Sequence, residues 1–304
     1  MSGTPDFPPA VRDAILGWYA SRARSLPFRG STDPYAILVS EAMAQQTQAA
    51  RAGDAWTRFM DRFPTVEALA AATPADVLRA WQGLGYNRRA LNLWRAARRI
   101  VDEFGGHVPT DLADLQTLPG VGPYTARAVA ALAFGLPVGA VDTNVRRVLG
   151  RIVAGDVGIL SQVEMQRLAD AAVPADRAAD WTHAVMDVGA TLCRPQSPDC
   201  AACPARPWCR YADRTRVPAT KAMVRPTAAR KNAAPFATTS RWLRGRILDR
   251  LRDARDGEWV VFDSSIGGHD AESVQLAVTA LAREGLVERD VGQSIVVRAR
   301  LPLA

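Results

Sequence analysis

The sequence predicts a mostly α-helical chain that ends in a small α+β unit. Three observations carry this expectation. Over residues 6–210 apolar residues recur at helical spacing, as in Ile37, Leu38 and Ala42 and again in Leu91, Trp94 and Ala97, and no alternating run is long enough to promise a sheet. Residues 212–240 lose that periodicity and hold Pro218, Pro226 and Pro235 among Ala, Thr, Lys and Arg, which reads as a linker. Periodicity returns over residues 241–304, where helical and strand-like stretches mix.

Within the helical part, Phe63-Pro64, Thr73-Pro74 and Gly105-Gly106 mark helix ends. Thr65, Thr73 and Thr110 are predicted N-caps, each followed by an acidic residue that suits the positive end of a helix. In the last segment, Trp242, Ile247, Leu248 and Leu251 fit one helix and Val274, Val278 and Leu281 line the face of a second, which Gly285 ends. Glu258 to Phe262, Leu286 to Asp290 and Ser294 to Arg298 read as strands, the last two joined around Gly292. Helices followed by a terminal hairpin make a winged-helix-like pattern. Gly267-Gly268 leaves space for only a very short helix between Ser264 and Asp270.

The chain has 304 residues, 48% of them hydrophobic and 23% charged, as a soluble globular protein of two or three modest domains would. No apolar run approaches the roughly 20 residues that span a bilayer. Met1 to Ala10 lack a basic stretch followed by an apolar one, so no secretory signal is expected and a cytoplasmic, nucleoid-associated location is. The net charge of +7 is unevenly spread. Residues 210–256 hold 13 Lys/Arg against 4 Asp/Glu, a net of +9, and the remainder is −2. A concentrated basic strip suits a polyanion such as nucleic acid, or else a solvated linker.

The four cysteines, Cys193, Cys200, Cys203 and Cys209, stand in the spacing C-x6-C-x2-C-x5-C. In a cytoplasmic chain disulfides are disfavoured, and such a cluster points to zinc or to an iron–sulfur group. Structural zinc sites usually pair two short knuckles. One knuckle with long flanks suits a wider cluster, and Pro195, Pro198, Pro204 and Pro207 keep the loop irregular enough for the thiolates to converge.

Leu118-Pro119-Gly120-Val121-Gly122 lies between two helical segments, with an Ala-rich helix predicted over 123–134. Two glycines one residue apart permit a tight turn with positive φ. The free amides at the start of the next helix fit a DNA phosphate, positioning a duplex without reading its sequence. Alone, the segment is equally an ordinary helical turn.

Two carboxylates stand out. Glu41 follows Ile37 by four residues and Leu38 by three, on the apolar face of a helix, where desolvation favours the neutral acid. A Glu paired with an Arg at a helix seam would read the same way. Asp142 opens a helix in Val141-Asp142-Thr143-Asn144-Val145-Arg146-Arg147, so it is an N-cap, a role that also fixes a carboxylate in place. Two such carboxyl groups, one neutral and one ionised, can divide between them the giving of a proton and the facing of a positive charge.

The cysteine spacing, the L-P-G-V-G hairpin and V-D-T-N-V-R-R-V, in this order, resemble the endonuclease III superfamily, the helix–hairpin–helix DNA glycosylases, over about residues 10–210. Ser40-Glu41-Ala42-Met43-Ala44-Gln45-Gln46-Thr47-Gln48 is similar to the MutY-type adenine glycosylases in particular. The resemblance implies a two-lobed core over 1–211, with a six-helix lobe at about 28–137 and a cluster lobe from 1–27 plus 138–211. A basic linker over 212–240 and a winged-helix-like domain over 241–304 complete the expected organisation. It implies a 4Fe-4S cluster on the four cysteines. It implies Glu41 as the acid on adenine N7 and Asp142 as the group that stabilises or traps the sugar cation, with Tyr124 and Asn144 supporting them. DNA contacts are implied at Gln45, Gln46 and Tyr86, where Tyr86 wedges into the base stack, and at Leu118, Gly120, Val121, Gly122 and Thr125.

In bifunctional members a Lys follows the hairpin and forms a Schiff base; here that position is Tyr124, so an amine nucleophile is missing. The expectation is a monofunctional, monomeric enzyme that removes adenine opposite 8-oxoguanine or guanine and leaves the strand intact. This chain has Asn87 where the family pattern usually has a second Tyr, and Leu26-Pro27-Phe28 where it usually has Trp. No Nudix-like domain is recognisable, so a smaller preference between the two opposite bases is expected. A mismatch thymine or uracil glycosylase and a non-catalytic, cluster-bearing DNA sensor are the alternative readings.

Overall fold

A computed structural model describes residues 7–214, 235–290 and 297–303. Among them the chain is mainly helical. In order, the helices are α1 (Pro9–Arg22), α2 (Pro34–Ala44), α3 (Ala49–Arg62), α4 (Val66–Ala71), α5 (Pro74–Ala80), α6 (Arg88–Phe104), α7 (Leu112–Thr117), α8 (Pro123–Phe134), α9 (Thr143–Val153), α10 (Gln162–Ala172), α11 (Ala178–Thr191) and α12 (Arg210–Arg214). The C-terminal part adds α13 (Ser240–Asp253), β1 (Val260–Val261), α14 (Ala271–Arg283), β2 (Glu288–Asp290) and β3 (Arg298–Arg300). The central stretch of the expected linker, 215–234, and the expected hairpin turn around Gly292 lie outside the described residues.

Local chemistry explains most boundaries. Thr65 and Thr73 cap α4 and α5 by accepting from the amides of Ala68 and Asp76. At α7 the expected cap Thr110 gives way to Asp111, whose carboxylate accepts from both Ala113 and Asp114. A carboxylate can take two amides and favours the helix's positive end, so it outcompetes the hydroxyl. Ser161 and Glu164 form a reciprocal capping box on α10. Gly105 and Gly135 end α6 and α8 in the left-handed conformation.

The chain forms two compact units, one from residues 1–41 and 108–224 and the other from 42–107 and 225–304. In the first, α1, α9, α10 and α11 bury Val11, Ile15, Val148, Leu149, Leu168 and Val185, and Phe7 meets Trp181 edge-on at 5.6 Å. The cysteine loop packs on the same core: Cys209 is buried, and Cys193, Cys200 and Cys203 lie against it. Asp187 of α11 is wholly buried and ties down the segment after α1, taking the Arg24 amide at 3.0 Å and the guanidiniums of Arg24 and Arg29 at 2.5–2.6 Å.

In the second unit, α4 and α5 pack on α6 around Phe59, Leu69, Leu78, Trp81, Leu91 and Ile100. The C-terminal helices bury Leu243, Ile247, Leu251, Val274, Val278 and Leu281. Beside them lies an antiparallel sheet of order β1-β3-β2, with Val260 opposite Ala299 and Arg289 opposite Ala299. Two helices and this sheet make the small α+β unit the sequence predicts. Between Ser264 and Asp270 there is no helix; Ile266 and His269 form an isolated bridge instead. Gly267, at φ +61° with the Trp242 ring where a Cβ would stand, permits that close turn.

Candidate active site

The first unit brings Glu41, Tyr124, Asp142 and Asn144 into one electrostatic neighbourhood, each from a different local cause. Glu41 rides on α2, between the buried Ser40 and Met43. Desolvation raises its carboxyl from the usual range to about 7, with the Asp142 charge adding to the rise and the Tyr124 hydroxyl and Arg29 opposing it. Tyr124 stands at the second residue of α8 and donates a hydrogen bond to Glu41. Burial, and then the neighbouring carboxylates, push its phenol well above the ordinary value, so it stays a donor.

Asp142 caps α9. One carboxylate oxygen accepts from the Val145 amide at 2.6 Å and the other from the Asn144 side-chain amide at 2.9 Å. Asn144 is itself held, its oxygen accepting from Arg147 Nη2 at 2.6 Å, and the same nitrogen donates to the Gly189 carbonyl at 2.7 Å. A Cβ on Gly189 would lie 2.6 Å from that of Asn144, so only glycine lets α11 come this close. The site therefore holds a carboxyl group raised toward neutral pH beside a carboxylate fixed by two donors, one of them itself held by Arg147. The first can give a proton near neutral pH and the second can face a positive charge.

The hairpin makes the tight turn its glycines permit, with the positive φ at Gly120. Gly120 has φ +83°, while Gly122 is extended at −91° and serves as N-cap of α8, with Pro123 at the first helical position. Leu118, Val121 and Thr125 are buried, whereas Gly120 and Gly122 are exposed. Contacts from this hairpin to a ligand thus run through backbone amides.

The four cysteines line one small pocket, together with Arg151, Arg206 and Tyr211. Arg151 donates to Cys193 Sγ at 3.4 Å and its guanidinium stacks on Tyr211 at 4.4 Å. Burial pushes the Cys203 thiol up to about 11 and raises Cys200 and Cys209 as well. Among the described residues no three His, Cys, Asp or Glu side chains converge tightly enough for a single metal ion. Four thiol side chains lining one pocket supply the soft sulfur donors that an iron–sulfur group takes.

Gln45, Gln46 and Tyr86 belong to the second unit, and all three line a groove there. Gln46 and Tyr86 are non-glycine residues at φ +53° and +45°. Arg89 holds both strained turns, donating to the carbonyls of Ala42, Met43, Gln45, Leu84 and Gly85 and to Thr47 Oγ1. Asn87 starts α6 and accepts from Arg252 at 2.7 Å. Sequence reasoning missed Arg29, Asp187, Arg89 and Gly189. Only Arg147 carried a visible hint, three residues after Asn144 on one helix face.

The chain as a whole has known relatives. Residues 39–170 match the model of the HhH-GPD superfamily base excision DNA repair proteins. An adenine DNA glycosylase of Mycolicibacterium smegmatis is 40% identical over 277 residues, covering 90% of this chain and 92% of that one. The chain belongs to the HhH-GPD superfamily of base excision DNA repair proteins. Among solved structures, a thermostable thymine-DNA glycosylase matches with TM-score 0.63 and 30% identity over 67% of this chain and 95% of its own. A trapped endonuclease III–DNA covalent intermediate matches with TM-score 0.59 and 26% identity over 68% and 95%.

Proposed function

We propose that the chain is a monofunctional adenine DNA glycosylase, acting on adenine mispaired with 8-oxoguanine or guanine. The observation that carries this is Glu41: an acid raised to about 7, hydrogen-bonded to Tyr124 and facing the charge of Asp142. With adenine flipped into the site, Glu41 gives its proton to the base and the glycosidic bond electrons leave with it. Asp142 faces the resulting sugar cation. Water then adds to the anomeric carbon and its proton returns to Glu41, so atoms and charge balance. Tyr124 stands where a lyase would need an amine, so the strand stays intact.

Duplex DNA is held by the amides of the Gly120–Gly122 hairpin, in keeping with the DNA complex of the endonuclease III neighbour. Cys193, Cys200, Cys203 and Cys209 would hold a 4Fe-4S cluster, which would supply a structural anchor for the loop. The protein acts as a monomer. Single-turnover excision on an A:8-oxoguanine duplex tests the acid. Glu41→Gln should slow it by about 10²–10⁴-fold. A rate within threefold of wild type would remove Glu41 from the reaction. A G:T duplex belongs in the same set, because the thymine glycosylase neighbour makes that base the alternative substrate.

A further inference from the structure

The second unit carries a groove that the reaction above does not use. One wall comes from Gln45, Gln46 and the turn from Gly83 to Arg89, the other from α13, and the groove between them is open to solvent. The walls are locked. Arg252 of α13 donates to the Leu78 carbonyl at 3.0 Å and to Asn87 Oδ1 at 2.7 Å. Arg79 of α5 returns the exchange at the carbonyls of Arg252 and Ala254 and pairs with Asp256.

The arginines of this groove sort by partner. Arg244 is paired with Glu284, and Arg246 and Arg252 with Asp249. Arg88 and Arg241 are exposed and carry no ion pair among the described residues. Arg88 also sits in the first turn of α6, which has no acidic residue. A cation there opposes the helix dipole, so Arg88 costs stability where it stands. Arg241 lies 4.6 Å over the ring of Tyr86, which is 46% exposed. Arg89 reaches the same ring at 5.7 Å, so the half-exposed Tyr86 ring sits among cations. Unpaired guanidiniums beside a half-open aromatic ring and two amide side chains form a surface that takes nucleic acid: cations for phosphates, a ring for a base.

We propose that the C-terminal domain completes the DNA-binding surface of this chain, with Arg241 and Arg88 holding the phosphodiester backbone of the duplex beside Tyr86. This rests on the reading of the chain as an enzyme that acts on DNA. The contact is electrostatic and carries no sequence information, so it operates equally on matched and mispaired duplexes.

The test is binding of the full chain to a fully matched duplex, titrated between about 0.05 and 0.2 M salt. Arg241→Gln and Arg88→Gln should each weaken binding roughly three- to tenfold and flatten the log–log salt slope by about 0.9, with Arg241→Lys keeping the slope. The losses should be the same on a duplex bearing the mispair. Unchanged affinity and slope in both Gln variants, with melting curves matching the parent, would overturn the proposal. So would a loss confined to one opposite base at unchanged slope, since the groove would then read a base rather than hold the backbone. Because the probe is matched DNA, a parent chain that binds it but excises no adenine refutes the glycosylase reading and leaves this one standing.

Discussion

Glu41 shows how much one side chain's surroundings decide. In the unfolded chain its carboxyl titrates near 4.5, in the folded one near 7. Between those values the native state binds the extra proton, so stability falls as pH rises through this window. Glu41→Gln should therefore stabilise the protein by about 2–3 kcal/mol at pH 8 and by little at pH 4, while abolishing most activity. Thermal melts at the two pH values check it; equal shifts at both would mean the carboxyl is not held neutral. The excision rate of the parent should fall as pH rises through about 7, where the acid loses its proton. Tyr124→Phe removes the hydrogen bond that lowers Glu41, so the alkaline limb should move upward. Glu41 was legible from its position on an apolar helix face. Asp142 was legible as a cap, and its closeness to Glu41 came only with the fold. Arg29, which opposes the rise at Glu41, was not, because its place is set by Asp187, 158 residues away.

At the scale of elements, the buried Asp187 joins α11 to the segment after α1. Arg29 is 9% exposed and would be left without its counter-ion by Asp187→Ala. That change should cost about 3–5 kcal/mol, read by denaturant unfolding. A loss under 1 kcal/mol would show that water takes over the guanidinium. Caps and stops were the most legible features here, since Thr65, Thr73 and Gly285 act through neighbours in sequence. One miss is a local competition. Asp111 displaced Thr110 at α7, whereas the turn with positive φ that the hairpin glycines permit is present at Gly120. Gly189 illustrates the harder case: its need for a missing side chain exists only once Asn144 is packed on it.

Across the whole molecule, the cysteine spacing and the change of pattern near residue 240 were readable in advance. Which parts pack together was not, because residues 42–107 share a compact unit with the C-terminal part through Arg79, Arg252 and Asn87. Asn87, a departure from the family pattern, has in Arg252 a partner from the C-terminal domain. The cluster reading makes its own prediction. The purified chain should carry roughly four iron atoms with sulfide, and Cys203→Ser should lose most of that iron and melt at lower temperature. Zinc without sulfide in the parent protein would contradict it.

The central claim is that this chain hydrolyses the bond to adenine and stops there. It is tested most directly by incubating the protein with a duplex containing A opposite 8-oxoguanine and resolving the strands before and after hot alkali. The account predicts an intact adenine strand before alkali and scission at the adenine site after it, lost in Glu41→Gln. No scission after alkali would contradict glycosylase activity, and scission without alkali would contradict the absence of a lyase step at Tyr124.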